Sequence, residues 1–276
     1  MDAHNIMEVR NLAMRFGGIQ ALANVNFSIQ KDSISGLIGP NGAGKTTVFN
    51  CVTGFYLPSG GTIEMQTDGA IHEVGRLLKT PLRGGTHRVA QAGIARTFQN
   101  IRLFRDMTVL ENLLVAQHRL LNRNVLAGIV RSKAFKNAER EAIARARTWL
   151  DIVGLTDSAS RMAGELPYGH QRRLEIARAM CTGPHLICLD EPAAGLNPRE
   201  TQELAVLIRQ LRDQHAVTVL LIEHDMGLVM DICEEIVVLS YGKVIECGNP
   251  QKIMNSPVVI EAYLGSPVPS TEREAA

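Results

Sequence analysis

The sequence predicts an α/β protein with a mixed, mainly parallel sheet at its core and a helical subdomain inserted partway along the chain. Three observations point there. ISGLI (34–38) is a short apolar run that leads straight into GPNGAGKT (39–46) and then into the helical stretch KTTVFNCVT. LICLD (186–190), VTVLLI (217–222) and EIVVLS (235–240) are apolar without alternation, as strands covered on both faces of a parallel sheet are. Between these groups, from Gln91 to about Cys181, the apolar residues take up a helical period.

The remaining elements follow in order. MEVRNLAM, VNFSI and GTIEM read as strands in the N-terminal third, and Gly54 closes the helix that follows the glycine-rich loop. Residues 66–90 contain a Gly-Gly pair and no clear periodicity, so they read as a loose segment. Thr108-Val-Leu-Glu111 is a capping box opening LENLLVAQHRLL. KNAEREAIARARTWLDIV is rich in good helix formers and is closed by Gly154. The helix over NPRETQELAVLIRQLRDQ starts with an Asn cap and a proline at its first position. KVIEC reads as a late hairpin strand, and the tail VPSTEREAA as a frayed end.

Composition narrows the class. A chain of 276 residues with 45% hydrophobic residues can build a substantial core. A net charge of +1 disfavours non-specific nucleic-acid binding, which needs a basic face to neutralise phosphates. No apolar run approaches the ~20 residues of a membrane helix. The N-terminus lacks the basic start and apolar stretch of a signal peptide. A cytosolic protein is therefore expected, free to sit against a membrane as a bound subunit. The five cysteines form no C-x-x-C pair and read as reduced core residues.

GPNGAGKT matches G-x-x-x-x-G-K-[ST] without a mismatch, between a strand and a helix where that loop belongs. Gly39, Pro40, Asn41, Gly42, Ala43, Gly44, Lys45, Thr46 and Thr47 form this stretch. Its glycines let successive N–H groups face one phosphate, and the helix N-terminus adds a favourable field. The motif gives Lys45 to the β- and γ-phosphates of ATP and the Thr46 hydroxyl to Mg²⁺. Asp190 ends the LICLD strand and Glu191 follows it, so both carboxylates belong beside the cradle, at the strand's carboxyl end. Asp190 suits the metal and Glu191 suits a base that orients the attacking water. His224 closes VTVLLIEH and should emerge at the same edge, in reach of the γ-phosphate or that water. The other histidines read as structural or surface groups.

A second glycine, Gly169 in ELPYGHQRRLEIARAM (165–180), stands ahead of a helical run placed at Gln171–Met180. The cradle, this stretch and the strand-end Asp-Glu, in that order, resemble the ATP-binding subunits of ABC transporters over nearly the whole chain. The resemblance implies a P-loop NTPase of the ABC ATPase type, with an antiparallel β-subdomain and an inserted α-helical subdomain. It divides the chain into a RecA-like core (about 1–90 and 182–248), a helical subdomain (about 91–181), a C-terminal extension (about 249–265) and a flexible tail (266–276). In that family two subunits sandwich two ATPs, each held by one subunit's cradle and the other's signature helix. Tyr168, Gly169 and His170 would then grip the partner's nucleotide. The same likeness gives Phe16 to stacking on adenine and Gln99 to Mg²⁺, catalysis and communication with the membrane subunit. It takes Ala194–Asn197 across the dimer interface.

GIARTFQNIRLFRDMTVLENLLVA and GNPQKIMNSPVVIEAYLG are similar to the branched-chain amino acid importer ATPases. This implies a peripheral subunit on the cytoplasmic face of the inner membrane. Its partners would be a second related ATPase, two permease chains and, indirectly, a periplasmic binding protein; the transported solute would never touch it. Another cargo, such as lipopolysaccharide, is the alternative inside the class. Soluble ABC ATPases of ribosomes or DNA repair fit less well, because the chain carries one cradle and has no room for a long coiled coil between Lys45 and Asp190. Leu103, Phe104 and Met107 read equally as a permease groove or as core, and Arg76, Lys79, Arg83, His87 and Arg88 as a solvated basic segment.

One departure stands out. The family's usual signature is Leu-Ser-Gly-Gly-Gln, and this chain has Leu166-Pro167-Tyr168-Gly169-His170. Proline supplies neither a hydroxyl nor an N–H. Losing one hydrogen bond to a charged phosphate weakens a grip by about 1.5–3 kcal/mol. Either the two ATP sites are unequal, or contacts elsewhere compensate.

Overall fold

The computed structural model describes residues 4–67, 69–79, 84–118 and 133–264. Two sheets organise it. Strands β1 (Asn5–Phe16), β2 (Ile19–Gln30), β4 (Gly60–Thr67) and β5 (Ala70–Glu73) form an antiparallel sheet in the order β2-β1-β4-β5. The second sheet takes β3 (Ile34–Ile38), β6 (Ile94–Arg96), β7 (Leu186–Asp190), β8 (Thr218–Ile222), β9 (Glu235–Ser240) and β10 (Lys243–Gly248) in the order β10-β9-β3-β8-β7-β6. Its neighbours from β9 to β6 run parallel, and β10 returns antiparallel along the edge. Every residue of β3, β7 and β8 is buried, which is why these strands carry no polar alternation.

The helices are α1 (Lys45–Val52), α2 (Val74–Lys79), α3 (Thr86–Gln91), α4 (Val109–Ala116), α5 (Lys133–Ile152), α6 (Tyr168–Met180), α7 (Pro198–His215), α8 (Met226–Ile232), α9 (Pro250–Met254) and α10 (Pro257–Leu264). The expected capping box of Thr108 with Glu111 opens α4, and the expected Asn197 cap opens α7 with its N1 proline, joined by Glu200 in a second capping box. Gly54 and Gly154 follow α1 and α5 with φ of 75° and 68°, the left-handed backbone that ends a helix at low cost.

Three expectations change. The segment 66–90 is not loose throughout, because β5, α2 and α3 lie in it. Ile94–Arg96 falls within the stretch read as helical, yet it pairs in parallel with β7 and forms the edge of the nucleotide-side sheet. The signature helix begins at Tyr168, a turn earlier than Gln171, with Pro167 as its N-cap. Gly169 therefore lies inside the first turn and does not precede the helix. Arg83 and the tail 266–276 lie outside the described residues.

All five cysteines are free thiols. Burial pushes Cys51, Cys181, Cys188 and Cys233 up to about 12, which leaves them as inert core side chains. Among the described residues no helix is long and apolar enough to cross a membrane.

Candidate active site

Parallel pairing delivers the functional groups to one edge. In register, Leu37 on β3 and Asp190 on β7 both lie beside Ile222 on β8, and Arg96 on β6 lies beside Cys188. Since the four strands point the same way, the residues just beyond their carboxyl ends emerge together. That brings Gly39, Gln99, Glu191 and His224 to the same end of the sheet. The cavity there measures about 570 Å³ and is walled by Asn41–Thr47, Glu191 and His224, with Gln20 and Tyr241 at its sides.

The cradle needs its glycines for steric reasons. Gly39 has φ 150°, and a Cβ there would lie 2.1 Å from the Leu239 carbonyl oxygen. Gly44, at φ 103°, caps α1 where a Cβ would strike Leu22. Lys45 is buried, and its Nζ donates to the carbonyls of Gly39 (2.6 Å) and Pro40 (3.1 Å). Burial lowers the affinity of this amine for its proton, while the Glu191 charge works in the opposite direction. A cation held in this way by two loop carbonyls at the start of a helix is suited to an incoming polyanion.

Glu191 is the hub. Its φ of 46° puts a non-glycine residue in the left-handed region, strain of the kind found where a side chain must be aimed. Its N–H donates to the Ile222 carbonyl (2.9 Å), which ties the strained turn to β8. The Gln99 amide Nε2 donates to Glu191 Oε2 at 2.7 Å, and His224 Nε2 lies 3.0 Å from Oε1. The three expected catalytic side chains are thus in direct contact.

Asp190 has a partner that the sequence does not announce. Arg96 Nη2 lies 2.8 Å from its carboxylate, with both side chains nearly buried. The same guanidinium donates to Asn50 of α1 and to Thr53, which caps its end, and sits over the rings of Phe49, Phe55 and Phe98 at about 5 Å. Glu223 is a second functional residue that sequence reasoning misses. Buried beside His224, it accepts from the backbone N–H of Ala193 (2.6 Å) and of His224 (3.0 Å). Burial raises the pKa of its carboxyl, and those N–H donors oppose the rise. Arg96 in ARTFQN and Glu223 in VTVLLIEH are visible in the sequence as residues but not as partners.

Phe16 ends β1 half-exposed, its ring edge-on to Tyr56 at 5.3 Å. The start of β2 just beyond it, Ile19–Ala21, walls the cavity where the Phe16 ring itself does not. The signature residues do not line that cavity. Tyr168 is exposed at the start of α6, and Gly169 is buried against α7, where a Cβ would come within 2.5 Å of the Glu200 carboxylate. His170, half-buried, is held below its ordinary pKa by desolvation and by nearby Arg173. The loop after Glu191 crosses Tyr168, since a Cβ on Gly195 would lie 3.2 Å from that ring.

A phosphate cradle opening a helix, with a strand-end acidic pair and a shared Gln-Glu-His contact at its mouth, defines a P-loop nucleoside triphosphatase. Comparison with known proteins narrows this class. A family model for the ABC transporter matches residues 22–194, and one for the branched-chain amino acid ATP-binding cassette transporter matches residues 243–268. The branched-chain amino acid transport ATP-binding protein BraF of Pseudomonas aeruginosa is 55% identical over 260 residues, covering 94% of this chain and 98% of that protein. LivG of Escherichia coli K12, also a branched-chain amino acid transport ATP-binding protein, is 52% identical with the same coverage. A solved ATP-binding cassette of an ABC transporter in its ADP conformation superposes with a TM-score of 0.78 at 29% identity, covering 95% of this chain and 99% of that one. The chain belongs to the ABC transporter family of ATP-binding proteins. It carries that family's nucleotide-binding fold, and so binds ATP.

Proposed function

We propose that this chain is the ATP-hydrolysing subunit that energises an importer of branched-chain amino acids. The observation that carries the catalytic part is the double hold on Glu191 by Gln99 and His224 at the mouth of the cradle. The cargo reading draws on the two relatives named for branched-chain amino acid transport and on the matching C-terminal segment.

Each residue then has a task. The backbone of Gly39–Thr47 wraps the phosphates, and Lys45 exchanges the carbonyls of Gly39 and Pro40 for phosphate oxygens. Glu191 accepts the proton of the attacking water, with one carboxylate oxygen steadied by Gln99 and the other by His224. The donor set fits Mg²⁺, a hard cation that takes few protein ligands and keeps waters and phosphate oxygens. Thr46 and Gln99 would hold it, with Asp190, paired to Arg96, reaching it through water. When bound it supplies charge neutralisation at the phosphates. Phe16 would support the adenine from the end of β1.

Tyr168, Gly169 and His170 would meet the nucleotide of a second, related ATPase. α6 fits that role because Pro167 provides no side-chain cap to its first-turn N–H groups. A dimeric ATP-binding cassette bound to ADP and phosphate shares the fold at 24% identity and TM-score 0.69. A cleft of about 510 Å³, with Phe55, Arg102, Phe104 and Arg178 in its wall, suits a cytoplasmic helix of a permease. Of Leu103, Phe104 and Met107, Phe104 is the exposed member, while Leu103 packs on the core. Two permeases and a periplasmic binding protein complete the assembly, with this subunit peripheral on the cytoplasmic side. The core, helical and extension divisions expected from the sequence are retained in this reading, with β6 added to the core.

The test is to copurify the chain with its membrane partners, place the complex in vesicles and add leucine with its binding protein. Leucine-stimulated ATP turnover supports the reading; turnover indifferent to leucine, isoleucine and valine overturns the cargo.

A further inference from the structure

The strongest feature outside the cradle is a fully buried ion pair in the signature helix. Arg172 and Glu175, at i and i+3 on α6, have side chains 0% and 1% exposed and meet at 3.0 Å. Their other contacts leave the helix. Arg172 Nη1 donates to the Phe98 carbonyl (2.7 Å) and Nη2 to the Gln99 carbonyl (2.8 Å). Glu175 Oε1 accepts the N–H of Arg102 (3.2 Å). Nη2 also lies 3.3 Å from the Tyr168 hydroxyl, and the guanidinium sits 5.9 Å from that ring.

Two ions withdrawn from water gain little net stability even when paired, and apolar residues of like size often serve as well. The guanidinium Nε has no hydrogen-bond partner among the described residues, so the site is not optimised for stability alone. What the pair provides is placement. The segment 97–102 is irregular between β6 and α4, and three of its backbone groups are fixed by two side chains of one helix. The residue at the centre of that segment is Gln99, which holds Glu191.

We propose that Arg172, together with Glu175, is a positioning residue that makes the Gln99 segment move as one body with the signature helix. Because α6 would grip the partner's ATP, the state of that second site then sets whether Gln99 steadies Glu191 in the first. The two ATP sites are coupled inside one chain, along Tyr168, Arg172, Gln99 and Glu191. This rests on the reading that α6 meets the partner's nucleotide.

The experiment measures steady-state ATP turnover against ATP concentration in the assembled transporter in vesicles. Wild type should be cooperative, with a Hill coefficient approaching about 2, the number of sites. A wild-type coefficient of one would count against the shared-nucleotide reading itself. Arg172→Met alone leaves Glu175 buried and unpaired, so the informative variant is Arg172→Met/Glu175→Leu, with Arg172→Lys beside it as a pair that keeps its charge but loses the two-pronged reach to both carbonyls.

Given an unfolding midpoint near wild type, the double variant should lose cooperativity and slow by roughly tenfold to a hundredfold, the cost of a misplaced catalytic group. Arg172→Lys should fall between. Added to Gln99→Ala, the double variant should slow turnover little further, because both act through one group. Retained cooperativity in a folded double variant, or losses that multiply with Gln99→Ala, would overturn the proposal. Should the double variant not fold, Arg172→Lys carries the same two readouts.

Discussion

Arg96 and Asp190 stand on adjacent parallel strands, two residues out of register, and their side chains meet at 2.8 Å. Because Arg96 also reaches Asn50 and Thr53, one guanidinium joins β6, β7 and the cradle helix. Removing one partner of a buried pair leaves the other charged and unsolvated. Arg96→Met should therefore cost about 3–5 kcal/mol of folding stability, and Arg96→Met/Asp190→Asn should recover most of it. Urea denaturation of the full chain, with equal slopes for each variant, checks this. A single variant as stable as wild type would show that Asp190 is better hydrated than its exposure suggests.

The contacts of Glu191 predict a different signature. Glu191→Gln keeps the size of the side chain and a hydrogen-bonding route to Gln99, but removes the base. ATP turnover should fall by about 10²- to 10⁴-fold. Nucleotide affinity should not weaken, because the cradle contacts of Lys45 and Gly39–Thr47 are untouched. Single-turnover phosphate release, measured beside binding of a fluorescent ATP analogue, separates the two.

The parts of this site that are legible in the sequence are the ones encoded by neighbouring residues. The cradle, the strand-end Asp190-Glu191, the capping box at Thr108 and the Asn197 cap each depend on a few consecutive positions, where residue type and backbone requirement coincide. The illegible parts depend on partners distant in sequence. β6 is three residues long and is a strand because β7 lies beside it, so no period marks it. α2 and α3 have six residues each, too short for a helical pattern to declare itself. Arg96, Arg172 and Glu223 are ordinary charged residues until the fold buries them against Asp190, the Phe98 and Gln99 carbonyls, and the N–H groups of Ala193 and His224. The true start of α6 is hidden because Pro167 gives no capping signal and Gly169 looks like a breaker. Gly169 is in fact the residue that lets α6 approach Glu200.

The capping box at α4 has a pH dependence with a definite sign. Glu111 accepts from the Thr108 N–H and hydroxyl, at 2.8 Å each, and these bonds hold its carboxyl below the ordinary glutamate range. A depressed carboxylate contributes stability that is present above its unfolded pKa and is lost as pH falls through the folded value. Thr108→Ala removes the hydroxyl cap and should cost about 1 kcal/mol near neutral pH. Below the unperturbed glutamate value of about 4.3 the difference from wild type should begin to shrink, and it levels off once pH passes the depressed folded value, where the carboxylate part of the box is gone from both proteins. Denaturation midpoints across that range check it; a cost independent of pH would mean that the carboxylate does not share in the cap.

Pro167 offers the sharpest test of how the second grip works. It caps α6 with φ −53° and ψ 151°, a backbone that serine adopts without strain, and it gives the helix no side-chain bond. Serine there would supply an oxygen to the first-turn N–H groups and a hydroxyl at the exposed start of the helix. Pro167→Ser should therefore raise stability by about 1 kcal/mol through the cap. If the missing hydroxyl also weakens the grip on a partner's ATP, the same variant should tighten the apparent ATP affinity of the assembled pair by about tenfold to a hundredfold, the worth of one added hydrogen bond to a charged phosphate. Pro167→Ala separates the contributions, because it restores the backbone N–H without the oxygen. Stability rising alone, with affinity fixed in both variants, would assign the hydroxyl to capping and locate any inequality between the two ATP sites elsewhere in the signature, at Tyr168 or His170. Affinity rising in serine and not in alanine would place the inequality at this single side chain.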